Sequence, residues 1–152
     1  MIRVKSKIGI LVISGALAIS GLVGTTSSTK ASSTDPIPNT SNTEFYHDNS
    51  TSARGYSEWR VKNNDTKVYV FPTTGYDLYF KVLGKKYRDD SGNERSKVVK
   101  IPLGVEGSIT NFVNENDERW AQLKMARTVS SSTPTTGWWS PDSTRNYTVF
   151  PQ

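Results

Sequence analysis

From Gly55 onward the chain is built of short runs in which β-branched and aromatic residues alternate with polar ones, each run stopped by a turn signal. That period-two pattern constrains the fold most strongly, because a strand sends successive side chains to opposite faces and buries one of them. The clearest run is Thr66-Lys-Val-Tyr-Val-Phe71, halted by Pro72-Thr-Thr-Gly75 and followed by Tyr76 to Leu83. Two such runs around a Pro/Gly turn predict a hairpin. Lys85 to Arg88 then leads to Asp89-Asp-Ser-Gly-Asn93, and Ser96 to Ile101 returns as a second hairpin.

Further along, Ser108 to Val113 forms the next predicted strand, turning at Asn114 to Asp117. Arg119 to Val129 suits either a helix or a strand. Trp120, Leu123 and Ala126 or Arg127 fall near helical spacing, whereas Ala121, Leu123 and Met125 alternate with Gln122 and Lys124. Its position between strands favours a strand. Gly137-Trp138-Trp139, a turn at Ser140 to Ser143, and Arg145 to Phe150 are expected to close the domain. About seven short strands at this spacing predict an all-β fold, an antiparallel β-sandwich.

The beginning of the chain follows another logic. Arg3, Lys5 and Lys7 precede an almost wholly apolar or small run, Ile8 to Val23, and a polar tract ends at Ala31 with small residues at Thr29 and Ala31. This order is that of a signal peptide, so residues 1–31 are expected to direct export and to be removed. The apolar run is short for a spanning helix, which needs about 20 residues. Release rather than stable membrane anchoring is the expectation. Residues 32–54, rich in Ser, Thr, Asn, Asp and Pro, carry few large apolar groups and are expected to form a disordered lead-in. The sandwich is assigned to residues 55–152.

No cysteine occurs, so no disulfide can staple the fold. A domain of this size can bury roughly two-thirds of its unfolded surface and does not need one. An exported, cysteine-free domain with a lysine-rich signal fits a Gram-positive source. The formal charge of +5 overstates the field of the mature protein. Arg3, Lys5, Lys7 and Lys30 account for four of the 19 basic residues, leaving 15 against 14 acidic ones, or about +1. Nucleic acid is therefore not an expected partner. Lys81, Lys85, Lys86 and Arg88 cluster locally and read as a solvated strand end.

The catalytic inventory is thin. His47 is the one histidine and falls in the lead-in, where nothing would orient it. A Cys nucleophile and a His/Cys zinc site lack their residues, and a Ser-His-Asp triad would have to use His47. No phosphate-binding glycine loop is present. Glu58, Asp77, Glu106, Glu115 and Asp142 are candidates for carboxylate chemistry, but nothing in their spacing pairs them. Asp89 to Glu94 and Asn114 to Glu118 offer oxygen ligands without the spacing of a calcium loop, and read as turns. No catalytic residue, metal or cofactor is expected.

Aromatic residues are the abundant resource, with four tryptophans and seven tyrosines. An aromatic face beside polar groups suits sugar rings, whose CH groups stack while their hydroxyls bond outward. Trp59 and Trp120 read as core. Trp138 and Trp139 are adjacent and cannot both be buried in one strand. The predicted binding surface is Trp138, Trp139 and Tyr147, contributed by the outward member of the pair and the late tyrosine.

The layout of signal, polar spacer and cysteine-free β-rich tail resembles the small exported β-rich proteins of Gram-positive bacteria. Gly137-Trp138-Trp139-Ser140-Pro141-Asp142-Ser143 is similar to the aromatic closing hairpins of such families, and more faintly to lactococcin-type bacteriocins, which act on cell-wall synthesis. Export, the thin catalytic inventory and the aromatic excess lead to the expectation of a non-catalytic binding module at or outside the cell envelope, with a glycan or cell-wall component as ligand. The alternative is a secreted, bacteriocin-like antibacterial effector of the same fold.

Overall fold

The computed structural model describes residues 36–150, so the expected signal peptide lies outside the described residues. Eleven strands occur among them. They are β1 (Thr43–His47), β2 (Arg54–Tyr56), β3 (Arg60–Val61), β4 (Val68–Thr74), β5 (Leu78–Lys85), β6 (Asn93–Glu94), β7 (Val99–Ile101), β8 (Gly107–Ile109), β9 (Trp120–Arg127), β10 (Thr135–Ser140) and β11 (Thr148–Phe150). The one helical element among the described residues is a 3-10 turn at Asn114–Asn116.

One sheet runs β1-β10-β4-β8-β11, and the other is built on β2-β9-β5-β6, with β3 also on β9 and β7 also on β5. Every pairing is antiparallel except β11 with β8. The fold is an all-β sandwich. It has more strands than the alternation predicts because two ribbons are interrupted. β2 and β3 both pair with β9, and β6 and β7 both pair with β5.

Between the sheets lie Phe45, Val68, Val70, Leu78, Phe80, Val82, Ile101, Ile109, Leu123, Met125 and Trp139, all nearly or wholly buried. The ambiguous segment is a strand. Ala121, Leu123 and Met125 are buried and alternate with partly exposed Gln122 and Lys124. Burying those three apolar side chains, at roughly 25 cal/mol per Å², favours the pairing with β5 over a helix.

Four expectations are corrected. The runs on either side of Pro72–Gly75 do not pair as a hairpin, because β4 lies in the first sheet and β5 in the second, so this turn carries the chain between sheets. The lead-in is ordered over its described part, because β1 supplies Phe45 to the core, edge-to-face with Phe80 at 5.5 Å. Phe45 gives the polar segment the apolar anchor that its composition understates. His47, expected on a mobile segment, is buried on the same strand. No closing hairpin forms from the tryptophan strand. β10 is inserted between β1 and β4, while β11 crosses to pair in parallel with β8.

Lys62 and Asp142 tie the chain together at one end of the first sheet. Both side chains are fully buried, with Nζ 2.9 Å from Oδ1. Nζ also donates to the carbonyls of Pro141, at 2.9 Å, and Thr66. The other carboxylate oxygen of Asp142 accepts from the backbone N–H groups of Asn39, at 2.7 Å, and Asn63, at 2.9 Å. Burial pulls the Lys62 ammonium below its usual range, opposed by the bond to Asp142. The pair therefore joins the segment before β1, the β3–β4 connection and the end of β10.

Candidate functional site

The outer face of the first sheet carries the candidate surface, and the ladder registers show how it is assembled. On β10, Thr135, Gly137 and Trp139 are buried, whereas Thr136 and Trp138 face outward. Trp139 has no exposed surface, with the Arg60 guanidinium 5.7 Å from its ring centre. Trp138 is 44% exposed. Strand alternation splits the pair as expected, and Trp139 is removed from the predicted binding surface. It is a core residue, which no ligand can touch without opening the sandwich.

Across the sheet, Trp138 stands opposite Glu44 on β1 and Phe71 on β4. Tyr46, 62% exposed, lies opposite Thr136 and so diagonal to Trp138. The next outward row, about 7 Å along the strands, pairs Ser140 with Tyr69. Tyr147 lies on this row. Its ring sits 4.6 Å from that of Tyr69 at an interplanar angle of 36°. The Tyr69 hydroxyl donates to Glu106 at 2.8 Å, and burial pushes that phenol well above its usual range, with the carboxylate adding to the shift. Tyr69 is thus a fixed neutral ring on which Tyr147 rests.

A cleft of about 220 Å³ opens beside this stack. Thr40, Asn42, Ser143, Thr144 and Arg145 supply its polar groups, and Tyr69 and Tyr147 supply aromatic wall. Asp142 also borders it but is sequestered by Lys62 and backbone amides. The exposed indole of Trp138 and the polar recess thus lie on the same outer sheet face, in neighbouring outward rows. Stacking on Trp138 and hydrogen bonding in the recess can act on one ligand together.

Of the three predicted residues, Trp138 and Tyr147 share this face and Trp139 does not. Tyr46, Phe71, Asn42 and Arg145 were not singled out by sequence reasoning. Phe71 could have been found, since it alternates outward from Val68 and Val70. Tyr46 and Asn42 could not, because their place depends on β1 pairing with a strand about 90 residues away.

The candidate carboxylates do not assemble. Glu106 accepts from Tyr69, Asp77 pairs with Lys100 at 3.0 Å, Asp142 holds Lys62, and Glu58 and Glu115 are exposed elsewhere. In the acidic turns, Asp117 pairs with Lys86, Glu118 with Arg95 at 2.6 Å, and Asp90 accepts from the Tyr87 N–H. Trp59 and Trp120, expected in the core, are half-buried. Lys85 covers Trp59, with its ammonium 4.4 Å from the ring centre, and Trp120 alternates to the outer side of β9.

Comparison with the curated proteins and with the solved structures finds no match. One family model matches residues 28–143, a span that includes β1, Trp138 and Asp142 and stops short of Tyr147. The chain belongs to the family described as protein of unknown function, DUF2712.

Proposed function

We propose that the protein is an exported, non-catalytic binding module that acts at or outside the cell envelope of a Gram-positive bacterium. Its ligand is a glycan or cell-wall component, held by Trp138 and by the Tyr69–Tyr147 wall of the neighbouring cleft. The observation that carries the reading is the exposure of Trp138 on the same sheet face as a polar recess lined by hydroxyl, amide and guanidinium groups. A sugar ring presents the complementary surface, an apolar CH face with polar edges. The signal-like residues 1–31 support the location.

Sedimentation of the protein with purified cell walls tests the reading. Wild-type protein is expected to co-sediment and Trp138→Ala to remain in solution while keeping its thermal melting profile. Equal retention of both proteins by the walls would refute the proposed surface. Growth inhibition of related strains by added protein separates the alternative role of a bacteriocin-like effector.

A further inference from the structure

The opposite face of the sandwich carries a second groove of different chemistry. β9 and β5 are paired so that Lys124 stands directly opposite Lys81. Two like charges in that position repel, and the pairing on its own is unfavourable. Glu94, on β6, answers both. Its carboxylate lies 2.6 Å from the Lys81 ammonium and 3.1 Å from that of Lys124, and the two cations hold its carboxyl below the usual range. Glu94 itself is half-exposed.

In the adjoining row, Arg54 and Tyr79 flank Ala126. The small side chain leaves a depression between them. Arg54, Tyr79, Lys81, Val98, Lys124 and Ala126 border one groove of about 270 Å³, and Glu94 is its one acidic lining residue. Arg54 has no ion-pair partner among the described residues. Three cations thus share a groove with one displaceable carboxylate.

We propose that this groove binds the phosphate groups of a phosphodiester-linked polyol or sugar polymer, with Glu94 occupying the anion position until the ligand displaces it. Arg54 brings a planar fork that matches two oxygens of one phosphate, and the two ammoniums act as point charges beside it. Exposed Tyr79 offers a flank for the linking polyol. The groove lining offers one exposed aromatic ring, Tyr79, and so no row of stacking platforms for successive bases, which disfavours single-stranded nucleic acid. The choice of an envelope-type polymer rests on the export reading above. The preference for phosphate rests on the groove alone.

The test measures binding of the full chain to an immobilised synthetic glycerol-phosphate oligomer at low and moderate salt. Neutral dextran, single-stranded DNA and anionic phospholipid vesicles serve as comparators. Binding of the oligomer is expected to weaken with salt, as for any exposed phosphate contact. Joint replacement of Lys81 and Lys124 by Ala should weaken it by about tenfold or more, the loss of charge-assisted hydrogen bonds. Glu94→Gln should tighten it, an effect that misfolding cannot imitate. Lys86→Ala, which removes an exposed cation outside the groove, should leave it unchanged. Binding of any comparator as tight as the oligomer, or no gain from Glu94→Gln, would overturn the proposal.

Discussion

Lys62 and Asp142, 80 positions apart in the chain, form a wholly buried ion pair in which Nζ and Oδ1 are 2.9 Å apart. Each partner's remaining hydrogen-bonding capacity is turned to backbone, with carbonyls around the ammonium and N–H groups around the carboxylate. A buried charge is tolerated only when it is answered in this way.

Removing one partner should therefore cost much more than removing both. Asp142→Ala is expected to lower stability by about 3–5 kcal/mol, because it strands a buried ammonium. Lys62→Met combined with Asp142→Leu should recover a large part of that loss. Urea unfolding of Lys62→Met, Asp142→Leu and the double variant, beside Asp142→Ala, measures the difference. Additive losses would show that the pair is not acting as a unit.

The adjacent tryptophans should respond in opposite ways. Trp139→Ala empties a core position and is expected to cost about 3–5 kcal/mol. Trp138→Ala removes a side chain from the outer face and should change stability by no more than about 1 kcal/mol. Thermal and denaturant melts of the two variants check the assignment, and comparable losses would contradict it.

The fold class and the division of this pair were legible in the sequence because both depend on local alternation. Strand β9 was legible for the same reason, once Ala121, Leu123 and Met125 were weighed against helical spacing. Long-range partners left no local trace. Nothing near residue 43 reports that Thr43 to His47 will pair with Trp139 to Thr135, so a strand looked like a disordered lead-in. The stack of Tyr147 on Tyr69 was hidden in the same way, since it depends on the parallel crossing of β11 to β8. Tyr46 and Asn42 could not be named in advance, because their place on the candidate surface is set by the pairing of β1 with β10.

His47 should make stability depend on mildly acidic pH. It is buried, and neither ring nitrogen has a hydrogen-bond partner among the described residues. Burial holds the imidazole below its ordinary value; Asp48 opposes the shift and Arg127 reinforces it. As pH falls through about 6.5, the unfolded chain takes up a proton that the folded chain refuses. Stability is expected to fall below that pH and to level off once the folded imidazole is also protonated. Urea midpoints between pH 7.5 and 5, at roughly half-unit steps, should decline for wild type and stay flatter for His47→Gln. Equal slopes would assign the effect to other groups.

At Gly137, β10 lies directly against the Phe45 ring of β1 and the Phe71 carbonyl of β4. A β-carbon there would meet the Phe71 carbonyl and come within 2.7 Å of the Phe45 ring. Gly137→Ala is expected to cost about 1–3 kcal/mol through overpacking. Because Phe45 belongs to β1, amide exchange in Thr43–His47 should rise along with the loss of stability. An unchanged exchange pattern would mean that β1 does not depend on this contact.

The central claim is that the face bearing Trp138 and Tyr147 holds a glycan. Intrinsic tryptophan fluorescence, followed while soluble peptidoglycan fragments are added, tests it most directly, since Trp138 is exposed and Trp139 is sealed from solvent. A saturable change in emission is predicted. Trp138→Ala should abolish that change and weaken binding measured calorimetrically by roughly 30-fold, the effect of losing about 2 kcal/mol at a dominant contact. Fragments that bind Trp138→Ala as tightly as wild type, or an emission spectrum that never moves, would contradict the account.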